Sequence, residues 1–326
     1  MGSSPHSTES STAGRPAASR AAGTWWRIGF AVLFTCVWSS GFIVGSIGTR
    51  TVAPGTLGFW RFLVATAVLG AIVLLSRAPW PRRPAAWIHL FITGFLLQTC
   101  QFAGVFLALQ LGVSAGLTSL ITDATPLVVA AAAVPLFAER LRPWQIVGLV
   151  LGFAGVSAAV STDLAGFGTI TGILAAIGGL AGSAGGTLYQ KRFGDHMDMR
   201  TGMFLQMVAA TIGITPLTAV SGGFALPLTP VAIGTVTWLA LVGSIAAFVL
   251  LFLLLKRQPG ASATSYLFLV PPVTALAGVP LLDQHLAPGS ILGFALAATG
   301  VALVTRHSPH FGDNKNGTKT HNSTGR

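Results

Sequence analysis

The sequence predicts an all-α membrane protein of ten transmembrane helices, built as two inverted five-helix repeats. Three observations predict it: too little charge for a water-facing surface, ten apolar runs long enough to span lipid, and an internal repeat at fixed offset. Of 326 residues, 52% are hydrophobic and 8% charged, with a mean hydropathy of +0.73. A soluble domain carries roughly a quarter charged residues, because its surface must be solvated. Most of this surface must therefore face lipid.

A spanning helix needs about 20 mostly apolar residues, because the hydrocarbon core is roughly 30 Å thick and each residue rises 1.5 Å. Runs that meet this test fall at 28–47, 56–76, 87–108, 114–137 and 144–161, then at 168–188, 202–220, 232–255, 261–281 and 288–305. They are continuous rather than alternating, which excludes barrel strands. Residues 1–24 and 307–326 are polar and rich in Ser, Thr and Gly, and are expected to be disordered cytoplasmic tails. The first of these lacks the apolar core of a signal peptide. The two repeats are expected over 25–161 and 162–306.

Orientation follows from the basic residues, which concentrate in cytoplasmic loops. Seventeen Lys and Arg fall in the tails and in one alternate set of breaks, around Arg77–Arg83, Arg140, Lys191–Arg200 and Lys256–Arg257. The other set holds Arg50 alone. Both termini are therefore expected in the cytoplasm. The same distribution excludes a nucleic-acid surface despite the net charge of +11, since the cations form no patch.

Residues 126–156 match 271–301 at a constant offset of 145, with fourteen identities in 31 positions. Pro126, Ala130, Pro135, Gly148 and Gly155 recur as Pro271, Ala275, Pro280, Gly293 and Gly300. The matched segments are spans 4–5 and 9–10, so the unit has five helices. Five is odd, so the second copy enters the membrane upside down. Inverted repeats are a recurrent plan of secondary transporters, in which exchanging the conformations of the halves reverses the open side.

These residues resemble the EamA-type members of the drug/metabolite transporter superfamily. The likeness rests on Val37-Trp38-Ser39-Ser40-Gly41-Phe42 in span 1, Arg61 in span 2, and Pro126-Leu127 followed by Phe137-Ala138-Glu139-Arg140-Leu141, Gly148 and Gly155-Val156. It covers roughly 28–306. It implies a permease whose relatives export amino acids, metabolites or toxic compounds, some members importing instead; it names no ligand. One departure stands out: repeat two has Leu282-Asp283-Gln284-His285 where the family usually shows Gly-Glu.

An ionisable side chain at membrane depth costs about 2.5–3.5 kcal/mol on insertion scales, so its presence needs a reason. Two lie clearly inside the spans, Arg61 and Asp123. Counting down from the outer boundary places them roughly 8 Å and roughly 12 Å deep. Three readings stay open: a structural ion pair, a substrate pathway, or snorkelling of Arg61 to the interface. On a pathway, Asp123 would attract a cationic group or exchange a proton, and Arg61 would attract an anionic group.

Asp123 precedes Pro126 by three residues, and proline strands the carbonyl four residues back, that of Thr122. Pro271 and Pro272 repeat the device in span 9, giving two candidate hinges. Further polar candidates for the pathway are Trp38, Ser40, Gln98, Gln101, Thr122, Tyr189 and Tyr266, for which interhelical hydrogen bonding is the alternative role. Gln98 and Gln101, three apart, are expected on one helix face. Glycines at 178, 182 and 186 and at 148 and 152 are spaced for close helix packing, within the chain or in a homodimer.

Other chemistry is missing from the sequence. No P-loop Gly-x-x-x-x-Gly-Lys-[Ser/Thr], His-Glu-x-x-His helix or Gly-x-Ser-Gly stretch occurs, so no cofactor or metal is implied. Two cysteines, Cys36 and Cys100, exclude a disulfide framework. The partners expected are a small-molecule substrate and the lipid bilayer. An intramembrane enzyme and a non-transporting sensor or assembly subunit are the rival classes.

Overall fold

The computed structural model describes residues 17–164, 169–194, 198–250, 253, 267 and 269–305, and no strand occurs among them. Span 1 is α1 (Ala17–Thr49) and span 2 is α2 (Pro54–Leu75). Span 3 is α3 (Pro84–Gly94), a π-helical segment (Phe95–Cys100) and α4 (Gln101–Gln110). Span 4 is broken into α5 (Ala115–Asp123) and α6 (Thr125–Phe137), and span 5 is α7 (Pro143–Leu164).

The second repeat follows the same plan. Its members are α8 (Ile170–Phe193), α9 (Met199–Ser221), α10 (Pro230–Ala240) running into a π-helical segment (Leu241–Ala246), α11 (Val270–Leu282) and α12 (Pro288–Thr305). Among the described residues nine helices are long and apolar enough to cross a membrane. The ninth predicted span is represented by the shorter α11, because the first part of the run at 261–281 lies outside the described residues. Proline opens α2, α3, α7, α10 and α12, where its missing N–H would have no intrahelical partner in any case.

Pseudo-two-fold symmetry is visible in individual contacts. Thr66 of α2 and Thr211 of α9, 145 residues apart, meet hydroxyl to hydroxyl at 3.2 Å, which puts them beside the axis. Ala138 and Asp283, related by the same offset, both end their helices in the left-handed region, at φ 53° and 56°. The π segments also occupy matching places in spans 3 and 8. Around α7 and α12 the glycines cross-match: Gly148 lies against Gly300, and Gly155 against Gly293. The two contacts exchange under the repeat, which is what a two-fold axis requires.

Glycine lets these backbones touch. A Cβ on Gly300 would sit 2.3 Å from the Gly152 nitrogen, and one on Gly155 2.4 Å from the Ala297 nitrogen. In α8 the packing stripe is Gly179, Gly182 and Gly186, against span 3, whereas Gly178 has open space beside it. The expected stripe holds at Gly182 and Gly186, and its first member is Gly179 rather than Gly178. The bundle turns large apolar side chains outward, among them Leu74, Leu75, Val150, Ile212 and Val220. In water such a surface would aggregate; in a bilayer it is the lipid face.

Candidate functional site

The break in span 4 has a traceable cause. Pro126 offers no N–H, so the Thr122 carbonyl loses its usual partner. The Thr125 hydroxyl donates to that carbonyl at 2.7 Å, and lies 2.9 Å from the Ser183 hydroxyl of α8. Span 9 has a matching device, with Val270 followed by Pro271 and Pro272 at the start of α11. There the Ser39 hydroxyl of α1 donates to the Val270 carbonyl at 3.3 Å. The break in span 4 and the start of α11 are thus each contacted by a hydroxyl-bearing residue of the first helix of the opposite repeat.

Asp123 sits at the end of α5, at the break itself. The Trp38 indole N–H hydrogen-bonds its carboxylate. The oxygen Oδ2 is buried and has no hydrogen-bond partner among the described residues. Asp123 also lines a crevice between spans 4, 9 and 10, with Leu120, Ala124, Leu267, Pro271 and Phe294. Trp38, Asp123, Pro126 and Pro271 thus come together as one locus. Trp38 continues it as an aromatic wall, 5.5 Å from the Phe34 ring and 5.9 Å from Phe248.

Arg61 does not join that locus as an ion pair. Its Nε donates to Ser244 Oγ at 3.0 Å, and its guanidinium carbon lies 3.7 Å from the centre of the Phe102 ring. Phe62 and Phe106 stand at 5.6 and 5.7 Å. The residue is 2% exposed, so it does not snorkel to the interface either. Of the three readings, the ion pair with Asp123 and the snorkel are overturned by this cage. The cause is the π segment of span 8, which carries Ser244 to the guanidinium.

The other predicted residues divide. Ser40 accepts the Trp238 indole N–H at 3.0 Å and donates to the Val37 carbonyl, so it is used in packing. The Thr122 hydroxyl bonds back into its own helix at Thr118. Gln98 is 2% exposed and its Oε1 has no partner, while Gln101 is half-buried. Gln98 lies in the π segment and Gln101 opens α4. Tyr189 bonds His89 Nδ1 at 2.8 Å, and both rings pack on Phe193. That cluster lies near the end of α8, roughly 9 Å along the helix from Ser183. Pro272 lies in the first turn of α11; Tyr266 falls outside the described residues.

Sequence reasoning missed Phe102, Ser244, Phe248 and His89. For Ser244 a signal existed: it is the repeat counterpart of Thr99, which donates to the Ala210 carbonyl of α9. The departure at Gln284 also has a structural role, because its Oε1 accepts from the Ala115 N–H at the start of α5.

Comparison with known proteins agrees with this architecture. The family model described as "EamA-like transporter family" matches residues 25–161 and 170–306. The chain is 27% identical over 284 residues to a "Probable amino-acid metabolite efflux pump" of Escherichia coli K12, covering 84% of this chain and 92% of that one. It is 28% identical over 275 residues to an "Uncharacterized transporter" of Archaeoglobus fulgidus, covering 82% and 93%. It is also 29% identical over 282 residues to the "Uncharacterized inner membrane transporter YedA" of Escherichia coli K12, covering 85% and 90%. A solved crystal structure aligns with a TM-score of 0.60 at 21% identity, over 85% of this chain and 95% of that one, and shows the common fold. The chain is a multi-pass membrane protein and belongs to the EamA-like transporter family, a family of transporters rather than enzymes.

Proposed function

We propose that the chain is a gradient-driven permease that exports a small, amino-acid-like metabolite by alternating access, coupled to protons at Asp123. One observation carries the reading: span 4, broken beside Pro126, and the proline-led start of α11 in span 9 meet at a crevice that holds a carboxylate oxygen with no partner among the described residues. Interrupted helices at a repeat interface are how transporters build a site between two rigid halves. An unpartnered buried oxygen is satisfied either by a proton or by a donor on the solute. The bodies that move are the repeats over 25–161 and 162–306, with both termini cytoplasmic, as the basic loops require. Export and the solute class draw on the efflux-pump relative.

The test is reconstitution of the full chain in proteoliposomes without ATP, with a mixture of radiolabelled L-amino acids and an imposed proton gradient. Uptake is expected only with the gradient, and an uncoupler abolishes it. Flux that requires ATP, or none for any solute under either polarity, overturns the reading. A sensor or assembly subunit gives the second of those results.

A further inference from the structure

We propose that Arg61 is the receptor for a planar carboxylate carried by the transported solute, at a subsite set between α4 and the π-helical segment of span 8 and separate from the Asp123 crevice. The inference deepens the permease reading and rests on it for the word transported. Nε is committed to Ser244 Oγ, which donates its own proton to the Leu239 carbonyl five residues earlier and so can accept. One face of the guanidinium is covered by Phe102 at 3.7 Å. What remains is the fork edge, whose two Nη atoms make no hydrogen bond among the described residues, in a side chain only 2% exposed.

A guanidinium stacked on one face and anchored at Nε offers two parallel N–H groups in a fixed plane, which is the geometry of bidentate carboxylate recognition. A purely structural arginine at this depth would be expected to satisfy its fork with backbone carbonyls or an acidic side chain. Among the described residues neither is present, which leaves the fork open to an anion from outside the protein. The charge is also one-sided. The repeat counterpart of Arg61 is Gln206, so the two-fold plan does not call for a cation there. The segment that presents Ser244 is π-helical, a geometry frequent at functional sites.

Binding to the purified full-length protein in detergent, read by intrinsic tryptophan fluorescence, tests this with benzoate, benzamide and acetate as probes. Benzoate is expected to bind about tenfold or more tighter than neutral benzamide, the worth of a charge-assisted hydrogen bond. Arg61→Gln brings that ratio to about one, whereas Arg61→Lys keeps part of it and Ser244→Ala, which leaves the fork intact, keeps most of it. Each variant is first checked for an unchanged melting temperature; a collapsed Arg61→Gln protein leaves the Lys and Ala variants to decide. Equal binding of acid and amide by the wild type, no preference for either carboxylate, or an undiminished ratio in Arg61→Lys and Arg61→Gln overturns the proposal. Detergent binding needs no gradient. Anion preference without flux sinks only the transport reading, and flux without anion preference sinks only this one.

Discussion

Gly300→Val is expected to lower the melting temperature by on the order of 5–10 °C, whereas Gly178→Ala leaves it unchanged. At Gly300 the first added carbon would meet the Gly152 nitrogen at 2.3 Å and the Gly148 oxygen at 2.5 Å. These are backbone atoms of a neighbouring helix, with no side chain able to rotate away. Overpacking a tight contact costs about 1–3 kcal/mol, and valine adds more than one carbon. At roughly 2–4 °C per kcal/mol for a chain approaching this size, the shift reaches the stated range. Symmetry adds a second demand. Gly155 occupies the corresponding place in repeat one, with backbone at 2.4 Å, so Gly155→Val should fall by a similar amount. A Gly300→Val protein that melts like Gly178→Ala would mean that α7 and α12 do not touch as described.

Asp123→Asn is expected to cut gradient-driven flux by roughly tenfold to a hundredfold, the worth of one lost charge-assisted contact of about 1.5–3 kcal/mol. Asparagine keeps the shape and still offers an oxygen to the Trp38 indole, so the fold should survive. What it removes is the oxygen that has no protein partner and that can take up a proton. The residual flux should therefore no longer follow the pH gradient, while Asp123→Glu should retain that dependence at lower rate. The measurement is initial uptake into proteoliposomes against external pH. Full flux with an unaltered pH profile in the Asn variant would remove Asp123 from the coupling step.

How much of this was legible in the sequence follows from which forces act locally. Spans are set by hydrophobic run length, a property of adjacent residues, and among the described residues nine of the ten runs reappear as long apolar helices and the run at 261–281 in part, as α11. The break in span 4 was legible because proline removes a hydrogen bond wherever it sits, and Pro126 marks it. The inverted repeat was legible because identities at one offset survive drift.

The environment of Arg61 was not. Its partners Phe102 and Ser244 are distant in the chain, and the π turn that presents Ser244 is stabilised by packing rather than by any residue preference. The phase of the glycine stripe in α8 was ambiguous by one position, since Gly178 and Gly179 fit the pattern equally well and only the neighbouring helix decides. Gln284 was read as a departure from the family's Glu, yet its amide oxygen caps α5, work for which either side chain has an acceptor.

Alternating access at the broken helices is tested most directly by one position. Leu120 lines the crevice beside Asp123 and is buried in this state. In a background with Cys36 and Cys100 replaced, Leu120→Cys is treated with a membrane-impermeant maleimide in right-side-out and in inside-out vesicles. Labelling from both sides, with the balance shifting when the proton gradient is reversed, is the predicted result. Labelling confined to one side whatever the gradient would contradict it.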